Sequence, residues 1–98
     1  MRDPAALLTS LVAVERQQLL AILDAEKRAA EDLSRATPRR TPKQRARGEE
    51  AARRAARLDA MLAYFREGAA EGLSAADLSL CLAVEQKLDR HDAASRRK

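Results

Sequence analysis

The chain has 98 residues, a net charge of +4 and a single cysteine. Of its hydrophobic residues, 22 are alanine and 14 are leucine, and Tyr64 and Phe65 are the only aromatics. A β-sheet needs branched and aromatic side chains on its pleated surface, so this composition excludes a sheet and predicts one all-α domain of long, coiled-coil-like helices. The single cysteine excludes an intramolecular disulfide and a multi-cysteine zinc site.

Neither the N-terminus nor the apolar runs indicate a secreted or membrane protein. The first residues lack the charged, apolar and small-residue regions of a signal peptide. No apolar run approaches the length needed to cross a bilayer, as residues 19–23 illustrate. We therefore expect a cytoplasmic location and no membrane contact. The 15 arginines against 4 lysines, together with the alanine content, suggest a GC-rich bacterial source.

The first helix is predicted over residues 4–36. The Asp3 side chain can accept from the free N–H groups of the first turn, and Pro4 suits the first helical position. Nothing in the sequence breaks this helix before Thr37-Pro38. With helical periodicity, one stripe collects the apolar side chains, namely Leu8, Leu11, Val12, Leu19, Ile22, Leu23, Ala29, Ala30 and Leu33.

Two further helices are predicted, over residues 42–71 and 75–90. Thr41 is followed three residues later by Gln44, as in a capping box. Ser74 caps the third helix. Gly72 can adopt the left-handed conformation that ends the second helix, whereas Gly68 is expected to weaken it without ending it. The apolar stripes are Ala51, Ala55, Leu58, Met61, Leu62, Phe65 and Ala69 on the second helix, and Leu78, Cys81, Leu82, Val84 and Leu88 on the third.

The short connection between the first two helices favours a long antiparallel hairpin, with the shorter third helix folded back along it. A single helical domain is predicted over residues 1–91, and residues 92–98 are predicted to form a frayed basic tail. Since half of the apolar residues are alanine, the core is thin for a chain of this size. We therefore expect oligomerisation or a partner chain to complete the burial.

Five charged residues fall inside the apolar stripes: Glu15, Glu26, Arg47, Arg54 and Glu85. In a hairpin that turns near residue 40, positions whose numbers add to about 80 face each other. Glu26 then meets Arg54, and we predict an ion pair between the two helices that specifies their register. Glu15 faces Phe65, so it either reaches water at the hairpin edge or pairs with a cation of the third helix or of a partner chain.

The sequence does not favour an enzyme, a cofactor, a metal site or a small-molecule substrate. Di-metal helical bundles need a Glu-x-x-His motif on two helices, whereas the single histidine, His91, follows Glu85 by six residues. No glycine-rich phosphate loop and no serine–histidine–acid set is present. Cys81 lies on the apolar face of the third helix, which is typical of a small buried hydrophobe.

Positive charge is concentrated in residues 35–57, which hold nine Arg or Lys against Glu49 and Glu50. Phosphate contacts need only charge and hydrogen-bond donors, so this segment can bind a nucleic-acid backbone. The same charges can meet an acidic protein surface, or they can be a solvated face in an arginine-rich chain. The phosphate-binding candidates are Arg39, Arg40, Lys43, Arg45, Arg53 and Arg57.

The first helix, with Glu15 and the later pair Glu26-Lys27, loosely resembles small helical export chaperones of bacterial flagellar and injectisome systems. The likeness covers about a quarter of the chain, and the other two helices supply no matching motif, so no family is assigned on it.

From these patterns we expect a non-catalytic protein-interaction module, acting as an adaptor, a chaperone-like protein or a regulatory subunit, with a protein partner or a second copy bound to an apolar helix face. The alternative is a small nucleic-acid-binding regulator that contacts phosphates through residues 35–57. The residues expected to form the shared apolar surface are Leu8, Leu11, Leu19, Met61, Leu62 and Phe65.

Overall fold

A computed structural model describes residues 3–11 and 14–96, and it describes side chains only as far as residue 91. The described part of the chain is all-helical, as predicted, but it contains four helices rather than three. They are α1 (Pro4–Ser10), α2 (Arg16–Ala36), α3 (Pro42–Glu67) and α4 (Ala75–Arg96). Within this part, no helix combines the length and the apolar character that a bilayer crossing requires.

The prediction of one helix over residues 4–36 is wrong, because α1 ends at Ser10 and a separate helix, α2, begins at Arg16. The predicted start at Asp3 is confirmed: its carboxylate accepts from the backbone N–H of Ala5 at 3.1 Å. At the start of α2, the Oε1 atom of Gln18 accepts from the backbone N–H of Glu15 at 3.4 Å. The break allows Leu7, which lies off the predicted stripe, to be buried, and tertiary packing therefore overrides the helical pattern. Val12, from the predicted stripe, lies outside the described residues.

The second predicted helix begins where expected but ends earlier. Thr41 and Gln44 form the predicted capping box, with a distance of 3.1 Å between the Gln44 backbone nitrogen and the Thr41 hydroxyl. α3 ends at Glu67 rather than at residue 71, because Gly68 takes the left-handed conformation, with φ of 72°. Its N–H then donates to the carbonyl of Tyr64 at 2.9 Å, which closes the last turn.

The last helix extends beyond its predicted end. Ser74 is the cap, since its hydroxyl accepts from the backbone N–H of Asp77 at 3.1 Å. α4 continues from there to Arg96, so most of the tail predicted over residues 92–98 is helical. Residues 97–98 lie outside the described part of the chain.

All four helices contribute to one packed body, and the ends of α2 and α3 that are joined by the turn near residue 40 project beyond it. α2 and α3 pack side by side in opposite directions, while α1 and α4 lie against one side of α3. Both of these helices begin beside Arg57 and run towards the end of α3, since Asp3 and Asp77 contact Arg57 and Glu85 contacts Arg16. We call the uncovered part of the hairpin, residues 27–53, the arm. The molecule is accordingly elongated, 56 Å in its longest dimension.

The bulky apolar residues are buried in the body by the chain's own helices, so the six residues predicted to form a partner surface are not exposed in this chain. α1 and α4 cover the side of the hairpin that the sequence analysis leaves open. Each of the six is at most 8% exposed: Leu8, Leu11, Leu19, Met61, Leu62 and Phe65. They pack with Leu23, Leu58, Cys81, Val84 and Leu88 in one cluster.

Besides Glu15, three residues placed in the apolar stripes lie at the surface instead. Leu82 of α4 is 49% exposed, and Ala29 and Arg47 on the arm are also exposed. The reason differs between them. Leu82 lies at the edge of the α4 stripe, while Ala29 and Arg47 belong to the part of the hairpin that α1 and α4 do not reach.

Candidate functional site

The arm is held together by small residues at the contact between its two helices. Ala30, Ala51 and Gly48 are buried there, and Ala55 continues the contact into the body. Small side chains allow two helix backbones to approach closely, and the Ser34 hydroxyl donates to the Gly48 carbonyl at 3.1 Å. The arm is therefore a narrow helix pair with little apolar bulk.

Arg39 is fixed against the end of the arm. Its Nη2 atom donates to the Ser34 carbonyl and hydroxyl oxygens, at 3.3 and 3.1 Å. The guanidinium also lies over Gly48, where an added Cβ would be only 3.0 Å from Cζ of Arg39. Arg39, a predicted phosphate-binding residue, therefore places its positive charge at the tip of the arm, and its hydrogen bonds with Ser34 fix the orientation of the guanidinium.

Besides Arg39, which is hydrogen-bonded to Ser34, five cations on the arm have exposed side chains and no ion pair with any described residue. Four of them are predicted phosphate-binding residues, and Arg47 is the fifth. The two acids of this segment, Glu49 and Glu50, are likewise exposed and make no ion pair within the described part. The uncompensated cations are Arg40, Lys43, Arg45, Arg47 and Arg53.

Arg57, also predicted as a phosphate-binding residue, does not belong to this set, because it is paired with two carboxylates. Its Nε and Nη2 atoms donate to both carboxylate oxygens of Asp77, at 3.1 and 2.9 Å. Its Nη1 atom donates to Asp3 at 2.9 Å. The hydrogen bond with Asp77 raises the pKa of Arg57, and the hydrogen bond from Arg57 lowers the pKa of Asp3. Arg57 thus joins the first turns of α1 and α4 to α3, with its charge neutralised.

Glu26 and Arg54, the facing residues of the two long helices, are in contact. The Nη2 atom of Arg54 donates to Oε2 of Glu26 at 3.1 Å. The Arg54 side chain is 8% exposed and that of Glu26 is 40% exposed. Beside them, Lys27 lies 3.1 Å from Asp59 in a second interhelical pair. These pairs mark the junction between body and arm.

The other two glutamates of the predicted stripes lie in the body. Glu85 accepts from Nη1 of Arg16 at 2.9 Å, and Asp89 lies 3.0 Å from Nη2 of the same arginine. Glu15 immediately precedes α2 and is exposed. Of the two alternatives for Glu15, its position fits contact with water.

An open groove of about 360 Å³ runs along one side of the arm. The described residues that line it all come from α2 and α3: Leu33, Arg47, Glu50 and Ala51. Sequence patterns place Leu33 and Ala51 in apolar stripes but do not show that an open groove runs beside them. The groove is open because α1 and α4 begin beside Arg57 and run away from the arm.

Two observations concern possible metal and thiol chemistry among the described residues. They contain no group of three or more His, Cys, Asp or Glu side chains placed to share a metal ion. Burial raises the pKa of the Cys81 thiol to about 11. The thiol is therefore protonated at neutral pH, whereas the nucleophilic form of cysteine is the thiolate.

Comparison with protein-family models, with curated protein sequences and with solved structures finds no match to this chain. The arm carries the cations that have no ion pair among the described residues, and it borders the open groove. It is therefore the candidate binding surface.

Proposed function

We propose that the protein is a non-catalytic interaction module, an adaptor or chaperone-like subunit of the bacterial cytoplasm, which presents its arm to an acidic surface of a protein partner. The observation that carries the proposal is that the arm exposes five cations without an ion pair among the described residues, one of which, Arg47, lines an open groove beside Leu33 and Ala51. Protein interfaces combine an apolar centre with a polar rim, and complementary charges on the rim select and orient the partner.

The burial of the body supports placing the partner on the arm. Leu8, Met61 and Phe65 are covered by the chain's own helices, so a partner that used them would have to displace α1 or α4. The arm requires no such rearrangement. Oligomerisation through the apolar core is therefore not part of the proposal, and the expected assembly is a complex with another protein.

Charge reversal at the groove tests the proposal. We suggest the double variant Lys43→Glu/Arg47→Glu, with Arg66→Glu as the matched control, because Arg66 is exposed on α3 but lies in the body. Each protein is used as bait with nuclease-treated extract of the source organism, and captured proteins are compared by quantitative mass spectrometry. Specific partners should be lost with the double variant and retained by Arg66→Glu. Equal recovery with all three baits would refute binding through the arm.

A second function, contact with nucleic-acid phosphates, is favoured by one feature. Within the described residues, no carboxylate forms an ion pair with the exposed side chains of Arg40, Arg45 and Arg53. Such contacts give an affinity that falls steeply with salt, with a log–log slope of about −0.9 per phosphate contacted. A fluorescence titration of duplex DNA at several salt concentrations measures this slope. Absence of binding at low salt would remove this second function.

A further inference from the structure

We propose that the groove of the arm binds one amphipathic α-helix of the protein partner, with an apolar stripe flanked by Asp or Glu side chains. This inference rests on the proposed function and specifies the shape and charge of what the arm recognises. The proposed ligand is more specific than an acidic surface, because it is a helix that lies in the groove bordered by α2 and α3.

The first support is the way one face of α3 is covered. Residues at helical spacing on this face include Arg47, Ala51, Arg54, Met61 and Phe65. In the body, Met61 and Phe65 on this face belong to the core cluster that also contains residues of α1 and α4, so helices already pack near it there. From Arg47 to Ala51 the same face borders the groove. A helix laid there would extend the existing layer towards the tip of the arm.

The second support is the wall that α2 contributes. Ala25, Ala29 and Leu33 follow one another at a spacing of four residues and therefore share one face of α2. The two alanines are exposed and Leu33 is half-buried. Of these three residues, Leu33 lines the groove. A helix bound there and continuing along α2 would meet the small side chains of Ala29 and Ala25, and it could approach to the usual interaxial distance of about 8–10 Å. Leu33, with Ala51 opposite, supplies the apolar floor.

Charge selects the kind of helix. Lys43 and Arg47 are one turn apart on α3, and Arg40 precedes them in the turn between the helices. Glu50 is the one acid that lines the groove among the described residues. The cations have no carboxylate partner within the described chain, so acidic residues beside the apolar stripe of a bound helix can satisfy them. A lysine-flanked helix would be repelled.

A synthetic peptide tests this directly. The probe is a dye-labelled, end-capped peptide of about 16 residues, long enough for partial helicity, with Leu and Ala at helical spacing and Glu on both flanks. One control peptide replaces every Glu by Lys, and a second replaces every Leu by Ser. Affinity is measured by fluorescence anisotropy, and amide chemical shifts of the protein identify the contacted residues. We expect saturable binding of the first peptide alone, with shifts in the arm segments of α2 and α3.

Matched variants place the peptide in the groove. Ala29→Glu places an acid one helical turn before Leu33, which lines the groove. Ala52→Glu makes the same change at another exposed alanine of the arm, which lies about 100° around α3 from the lining residue Ala51. The first should weaken binding at least about fivefold, as should Arg47→Glu, and the second should change it little.

Three outcomes overturn the inference: no saturable binding at millimolar peptide, equal affinity for the leucine-free peptide, or no effect of Ala29→Glu. Displacement of the peptide by duplex DNA, with equal binding of the leucine-free peptide, would indicate recognition by charge alone and not by the groove. These failures are separable from failure of the proposed function. Loss of captured partners with Lys43→Glu/Arg47→Glu, combined with no peptide binding, leaves the arm as an interaction surface and removes only the helix.

Discussion

The ion pair between Glu26 and Arg54 has unequal partners, so removing either one should have a different effect on stability. The Arg54 side chain is 8% exposed, whereas Glu26 is 40% exposed. Replacing Glu26 by Met leaves a guanidinium inside the hairpin with no carboxylate. Replacing Arg54 by Met leaves a carboxylate that can turn into water, and the methionine retains most of the packing of the arginine stem.

The expected magnitudes follow from that exposure. Removing one partner of a fully buried pair costs about 3–5 kcal/mol. Because Glu26 is partly solvated, we expect Glu26→Met to lower the free energy of unfolding by about 1.5–3 kcal/mol. For Arg54→Met we expect a loss of about 0–1 kcal/mol, as for an exposed pair. The double variant should be close to wild type, because hydrophobic side chains replace a buried pair at little cost.

Urea unfolding followed by circular dichroism gives the four free energies of this double-mutant cycle. Asp59→Asn is a useful control, since Asp59 is 68% exposed in its pair with Lys27 and should matter by no more than about 0.5 kcal/mol. Equal losses from the two single variants, or a greater loss from Arg54→Met, would refute the reasoning from burial.

Four further results are expected. Leu8→Ala should lower the free energy of unfolding by about 2–5 kcal/mol in urea titrations, because Leu8 is fully buried; a loss near zero would mean that α1 is not packed on the body. Because the pKa of Asp3 is below its ordinary value of 3.8, its stabilising effect is present above that value and disappears as pH falls through the lowered pKa. Asp3→Asn should therefore flatten the acid limb of a stability–pH profile, and an unchanged limb would contradict the contact with Arg57. Gly68→Ala should cost about 1 kcal/mol in thermal unfolding, since φ is 72° there; a stabilising effect would place that residue in the helix. Cys81 should react with a thiol reagent only as fast as the protein opens, so labelling at the rate of the unfolded chain would show that it is not buried.

Local chemistry in the sequence predicts the helix starts well. Asp3, Thr41 and Ser74 each accept from a backbone N–H in the first turn that follows, as their residue types and spacing indicate. Helical periodicity combined with one turn near residue 40 also brings Glu26 opposite Arg54. These features depend only on residues that are close in sequence or on one register.

The features that the sequence does not predict depend on competition between alternative packings. No proline or glycine marks the break after Ser10, and a continuous helix through Leu11 is locally acceptable. The break is favoured because Leu7 and Leu8 can then be buried against α3 and α4. An apolar stripe indicates that its residues need burial without indicating what buries them. For that reason Leu8 and Phe65 are predicted as a partner surface but lie in the chain's own core.

The contrast between body and arm implies that the molecule does not open as one unit. Leucine side chains fill the body, whereas Ala30 and Ala51 hold the arm together and each removes far less apolar area from water. Amide hydrogens of the arm should therefore exchange with solvent through partial openings that leave the body intact. The residues that meet a partner would then be those with the lowest local stability. Slower exchange confined to the arm would reveal binding even when the global unfolding temperature hardly moves.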